Sequence, residues 1–307
     1  MSEQNPELQQ DDIGKSLVPL QSTQEHEMAP AVLDTRPSFY EFAGLDQEIA
    51  QLTEFGAIFN HPELAREWDV EVPTGLLLCG PGGVGKTELV RAFSRELGAE
   101  LIEVAVSDIQ SMWVGKSNEL LRQVFNNAGE AEGKVVIFFD ELDGLFSANA
   151  GGNSGVSTAL ISELKMILTH LRENQPNTIV AASTNSLSGF DEALLRPGRF
   201  DMVLQIGKPN DAARAGIFGS YIGRKFELYD LGSGELDSRV GGTIELSSLA
   251  AATDGMTGAD IKSILHSARA KRLMAHIQQG ADLAPVTQHD ILLAIRHHRQ
   301  QRPNATN

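Results

Sequence analysis

Gly75-Leu76-Leu77-Leu78-Cys79-Gly80-Pro81-Gly82-Gly83-Val84-Gly85-Lys86-Thr87 is the stretch that most restricts what this chain can fold into. An apolar run suited to a buried parallel strand ends in G-x-x-x-x-G-K-T. Glu88 to Leu97 then carries Leu89, Ala92, Phe93 and Leu97 at helical spacing. Strand, glycine loop and helix start are the parts of a phosphate cradle. Phosphate oxygens need inward-pointing backbone N–H groups, which side chains at Gly80, Gly82, Gly83 and Gly85 would obstruct, and the positive helix N-terminus adds its field. Lys86 can reach the β- and γ-phosphates of a nucleotide, and the Thr87 hydroxyl can ligate Mg²⁺.

The 307 residues suffice for two domains. A formal net charge of −16 argues against broad duplex binding, which draws its affinity from clustered Lys and Arg, although it leaves room for a local basic pore. Met1-Ser2-Glu3-Gln4 shows no basic segment leading into an apolar one, and the longest apolar runs are strand-sized, so neither a signal peptide nor a membrane span is expected. The one cysteine, Cys79, precludes an internal disulfide and suits a packed core thiol.

Residues 1–36 are polar, acidic and Gln-rich without sustained period, and read as a mobile tail. Helical spacing is expected over Asp46 to Phe55, with a break at Asn60-His61-Pro62. Glu100 to Val106 reads as a strand and Asn118 to Ala128 as an amphipathic helix, with Trp113 and Val114 in the loop between them; a Trp there can anchor the loop to the core. Lys134 to Phe139 fits a central strand buried on both faces, and it ends on Asp140-Glu141-Leu142-Asp143, where open α/β sheets place their ligands. Beside a phosphate loop, Asp140 suits Mg²⁺ and Glu141 suits the orientation of an attacking water.

Ser147 to Ser157 reads as a Gly-rich loop and Thr158 to Leu171 as a helix. Thr178 to Asn185 reads as another buried strand, with Asn185 able to bond a γ-phosphate, the attacking water, or a turn. Arg196 and Arg199 flank a Pro-Gly turn. From about Pro209 the pattern turns helical: Asp211 to Lys225, Leu246 to Thr253, Gly258 to Ile277 and Thr287 to His298, with Asp230 to Gly242 a loop and His297-His298-Arg299 a solvated helix end.

In their order, the phosphate loop, the Trp113-Val114-Gly115 loop, Asp140-Glu141, Asn185, Arg196-Pro197-Gly198-Arg199 and Gly258-Ala259-Asp260 resemble the AAA ATPases from about Phe39 to about His298. The resemblance implies an α/β fold: a doubly wound parallel sheet P-loop NTPase domain followed by a small all-α lid domain. The corresponding divisions are a tail at 1–36, a nucleotide-binding domain at 37–208, a lid at 209–300 and a tail at 301–307. It implies a Mg²⁺-dependent ATPase, usually a hexameric ring. ATP would meet Ala43, Gly44, Pro81, Gly82, Gly83, Val84, Gly85, Lys86, Thr87, Glu88, Asp140, Gly258 and Ala259, with Thr87 and Asp140 at the metal. Asn185 would sense the γ-phosphate, and Arg196 and Arg199 would act on a neighbouring subunit's nucleotide.

Trp113 and Val114 would line a central pore that grips a protein substrate, which favours exposure of the Trp over core anchoring. The implied protein is a cytoplasmic remodeller, with a clamp-loader or helicase-loader relative or a non-threading scaffold as alternatives. Three departures qualify the match: Lys116 where pore motifs carry an acidic residue, Tyr221 where a lid histidine is common, and Arg172-Glu173 where an Asp-Gly pair often couples subunits. With no sizeable domain before Phe39 or after the lid, substrate handling is expected from the tail, an adaptor or the pore.

Overall fold

Among the described residues, β1 (Gly75–Cys79), β2 (Glu100–Ala105), β3 (Val135–Asp140), β4 (Thr178–Thr184) and β5 (Met202–Gln205) form a five-stranded, all-parallel sheet at the centre of the computed structural model, in the order β2-β3-β4-β1-β5. The structure describes residues 34–106, 109, 116–147, 154–188, 190–223, 244–279 and 285–301. The chain divides into units Met1–Asp34 and Thr35–Asn307, and every described element lies in the second. The expected pore residues Trp113 and Val114, the loop at Asp230 to Gly242, and nearly all of both tails lie outside the described residues.

β1 and β3 are apolar almost throughout, and β4 from Ile179 to Ala182, because both of their faces are covered. Side chains alternate across the pleat: Leu77, Ile137, Phe139, Val180 and Ala182 enter one core. Leu76, Leu78, Phe138, Ile179 and Ala181 enter the other. The first core is closed by α4 (Lys116–Glu130) and α6 (Ser154–Asn174), through Phe125, Leu164 and Leu168. The second is closed by α1 (Asp46–Asn60) and α3 (Lys86–Glu96), through Leu52, Phe55, Leu89 and Phe93. α2 (Pro62–Glu67) follows the expected break, and its proline stands in the first turn, where a missing N–H costs nothing.

Several expectations are corrected. β5 was not foreseen: four residues are too few to show a period, and pairing with β1 from Leu76↔Met202 to Cys79↔Gln205 is what makes them a strand. Helix α6 begins at Ser154, inside the expected Gly-rich loop, and α5 (Asp143–Ser147) follows the acidic strand end directly. Arg36, assigned to the mobile tail, instead donates to Ser94 Oγ at 3.0 Å and to the Ala99 carbonyl at 2.6 Å, which fixes it on α3.

The C-terminal part is helical: α7 (Asp211–Gly223), α8 (Leu246–Ala252), α9 (Gly258–Gln279) and α10 (Gln288–Gln301). They enclose their own core of Phe218, Leu249, Ile261, Ile264, Leu265, Ile291 and Ile295. Arg214, 2 % exposed, donates to the carbonyls of Pro209 and Ala250 and thereby ties the start of α7 to α8.

His298 is not a solvated helix end. Its Nε2 lies 3.0 Å from Asp260 Oδ1, while Asp260 Oδ2 accepts from the Thr257 amide and hydroxyl at 2.9 and 2.8 Å. Burial pushes the Asp260 carboxyl up, but the Thr257 amide, the Thr257 hydroxyl and His298 together outweigh it and hold the group below its ordinary 3.8. A lowered folded pKa gives stability that is complete above the unfolded value and lost as pH falls through the folded one. Thermal denaturation of the wild type should therefore show a midpoint that drops on acidification below about pH 4. Asp260→Asn should shallow that drop, and an unchanged slope would remove Asp260 from the acid response.

Candidate functional site

The glycine loop folds as its sequence requires. β1 ends at Cys79, and α3 starts at Lys86 with Gly85 as N-cap at φ 103°, while Gly83 sits at φ 79°. Both conformations are readily available only to glycine. Gly80 is needed for space, since a Cβ there would lie 2.0 Å from the Ile206 carbonyl oxygen. The start of α9 closes on the loop from the helical side: the Ala259 amide donates to the Gly83 carbonyl at 3.0 Å. A Cβ at Gly83 would meet Ala259 Cβ at 2.9 Å. Gly258 and Ala259 are therefore brought to the loop, although Gly258 lies 175 residues after Gly83 in sequence (258 − 83).

Lys86 is buried, and its ammonium donates to the carbonyls of Gly80 (2.6 Å) and Pro81 (3.1 Å) and to Asn185 Oδ1 (3.0 Å). Burial pushes this amine below its ordinary value, opposed by the carboxylates of Asp140, Asp143 and Glu141. The register of β1 with β4 pairs Cys79 with Thr184, and so sets Asn185 beside the loop. The Asn185 amide donates to Asp143 Oδ1 at 3.3 Å, which ties the end of β4 to the start of α5.

At the end of β3 the Thr87 hydroxyl donates to Asp140 Oδ2 at 2.9 Å. The Ser183 hydroxyl donates to Asp140 Oδ1 and accepts from the Glu141 amide at 2.9 Å. Glu141 has φ 56°, a left-handed conformation uncommon outside glycine and costing on the order of 1 kcal/mol or more. Its side chain is exposed.

A cleft of about 640 Å³ joins these groups. One end is lined by Gly82 to Glu88, Asp140, Glu141, Ser183 and Asn185. The other is lined by Phe42 to Leu45 together with Ile217, Ser220 and Tyr221 of α7. The Ala43-Gly44 turn is clamped on that helix: a Cβ at Gly216 would lie 2.4 Å from Ala43 Cβ, and one at Gly44 (φ 74°) would lie 2.3 Å from Ala213 Cβ. Tyr221, on the helix turn after Ile217, does face the cleft. The cleft thus offers backbone amides and Lys86 in one part and the apolar Phe42, Ala43, Leu45 and Ile217 in another, with Glu41, Glu48 and Lys262 also on its wall, which suits a nucleoside triphosphate. The donors fit a hard divalent cation too, since a carboxylate and a hydroxyl side by side next to a phosphate cradle are oxygen ligands of the kind Mg²⁺ takes.

Arg196 and Arg199 do not line this cleft. Arg196 is exposed. Arg199 donates to the Thr169 hydroxyl at 3.1 Å and to the Ala193 carbonyl, so α6 orients it. Asp201, which sequence reasoning did not single out, ties this turn to β1: it accepts from the amides of Thr74 (2.9 Å), Gly75 (3.1 Å) and Gly198 (2.9 Å). A Cβ at Gly75 would lie 1.6 Å from the Arg199 carbonyl oxygen, so the turn packs against bare backbone. Arg172 pairs with Glu71 at 2.9 Å and Asp201 at 3.4 Å, which places the Arg172-Glu173 departure directly behind the arginine turn.

Fold and cleft together define a P-loop α/β module for a nucleoside triphosphate. Residues 76–208 match the family described as ATPase family associated with various cellular activities (AAA), and the chain carries an AAA ATPase domain. It is 32% identical over 230 residues to "Proteasome-activating nucleotidase" of Saccharolobus solfataricus, an alignment covering 74% of this chain and 55% of that protein. It is 31% identical over 243 residues to "Protein CdcH" of Halobacterium salinarum, covering 79% of this chain and 31% of the relative. With "ATPase family gene 2 protein homolog B" of Bos taurus it shares 30% identity over 273 residues, 88% of this chain and 34% of that protein. The chain therefore spans about half or less of the length of these relatives. Among the described residues no helix is long and apolar enough to cross a membrane.

Proposed function

We propose that this chain is a Mg²⁺-dependent ATP hydrolase that works as a homo-oligomeric ring, with residues 37–208 holding the nucleotide and residues 209–300 serving as its lid. The observation that carries the reading is the cleft, in which a glycine-amide cradle with Lys86 faces the Thr87–Asp140 pair and Glu141. The loop amides and Lys86 bind the phosphates, with Lys86 exchanging its carbonyl partners for phosphate oxygens. Thr87 and Asp140 would hold Mg²⁺, which neutralises charge on the phosphate oxygens. Glu141, exposed to the cleft, orients and polarises the attacking water, and Asn185 orients the terminal phosphate or that water. The apolar end between Ala43-Gly44 and Tyr221 takes the base.

Arg196 and Arg199 stand outside their own cleft, which suits action on the nucleotide of a neighbouring subunit. The finer reading is a cytoplasmic protein remodeller that grips a polypeptide or adaptor through Trp113 and Val114. It is supported by the sequence resemblance and by the names of relatives such as the proteasome-activating nucleotidase. ATPase rate and particle mass measured across a dilution series should rise and fall together. A monomer with concentration-independent turnover would remove the ring and the pore, and leave only a hydrolytic fold.

A further inference from the structure

We propose that Ser183 is a positioning residue for hydrolysis: its buried hydroxyl fixes both the Asp140 carboxylate and the Glu141 backbone, and so sets where the metal-holding and water-orienting groups stand. The inference rests on the roles proposed above for those two residues.

β4 opens on Thr178 and then runs through the apolar Ile179, Val180, Ala181 and Ala182, and the Ser183 that follows is 0 % exposed. Its register explains the contact: β3 and β4 pair Phe139 with Ala182, so Ser183 falls beside Asp140 at the strand end. A hydroxyl has one donor and two acceptor sites. Here the donor goes to Asp140 Oδ1, and one acceptor site takes the Glu141 N–H at 2.9 Å. The Leu142 amide donates to the Ser183 carbonyl at 2.8 Å, so one residue holds three in succession across the turn.

The consequences for the two carboxylates differ. With Oδ1 engaged by Ser183, Asp140 presents Oδ2 to Thr87, which fixes the carboxylate relative to the cleft. Glu141 stands at φ 56°, a disfavoured conformation that needs support from its surroundings, and the Ser183 bond to its amide is such support. Removing the hydroxyl leaves Asp140 held through Oδ2 by Thr87 alone and the Glu141 amide without this acceptor.

Ser183→Ala deletes the hydroxyl, and Ser183→Cys keeps nearly its volume with a much weaker donor and acceptor. We expect both variants to bind ADP in EDTA as the wild type does. Both should need about 10-fold or more Mg²⁺ for half-maximal turnover, as loss of a residue supporting a metal ligand typically costs. Without nucleotide or metal, amide hydrogen exchange at Glu141 should accelerate in both variants, a readout independent of catalysis. Unchanged Mg²⁺ dependence together with unchanged exchange in either folded variant would overturn the proposal. Asp140→Asn and Glu141→Gln in the same assays separate the two levels. If they impair turnover while the Ser183 variants match wild type, only the Ser183 role fails; if they too match wild type, the site reading beneath it fails.

Discussion

Glu141→Gln should bind ATP with near wild-type affinity and lose turnover by about 10²–10⁴-fold, the range for loss of a positioned general base. The substitution preserves side-chain size and, because the Ser183 contact is to the backbone amide, leaves the left-handed turn supported. What disappears is the negative charge that draws a proton from water. The phosphate contacts proposed above lie elsewhere, at Lys86 and the loop glycines, so affinity is expected to be insulated from the change. Single-turnover hydrolysis beside equilibrium nucleotide titration reads the two effects separately. Undiminished hydrolysis would refute the role given to Glu141.

Arg199→Ala carries a comparable or larger expected loss, since an arginine supplied to a γ-phosphoryl group is worth about 10³–10⁵ in rate. Arg199 also bonds Thr169 and Ala193, so its removal loosens the turn that carries Arg196. Arg196→Ala, at an exposed site, tests the charge without disturbing that anchor. Each variant should bind nucleotide normally and hydrolyse it slowly. Mixing Lys86→Ala protein with Arg199→Ala protein should restore part of the activity, because some interfaces in mixed rings pair an intact cradle with an intact arginine turn. Absence of any recovery in rings shown by mass to be mixed would mean that the arginines do not work across subunits.

The phosphate loop and the Asp140-Glu141 strand end were legible in the sequence because their causes are local. A loop that needs glycine at positive φ, an apolar strand before it and a helix after it are all written in a dozen consecutive residues. β1, β3 and β4 were legible for the same reason, since burial on both faces leaves an uninterrupted apolar run. β5 was not: Met202–Gln205 is a strand by virtue of the β1 edge it joins.

The amino-acid sequence by itself determined the glycine loop, the buried strand before it and helix after it, and the acidic end of β3, because glycine conformations and strand patterning act between near neighbours. Only the tertiary structure decided which distant groups meet. It joined Lys86 to Asn185, Ser183 to Asp140 and Glu141, Asp201 to the start of β1, Ala259 to Gly83, and His298 to Asp260. Each of these contacts depends on a sheet register or a helix docking angle. Such quantities are set by the packing of the whole core, and no window along the chain contains them.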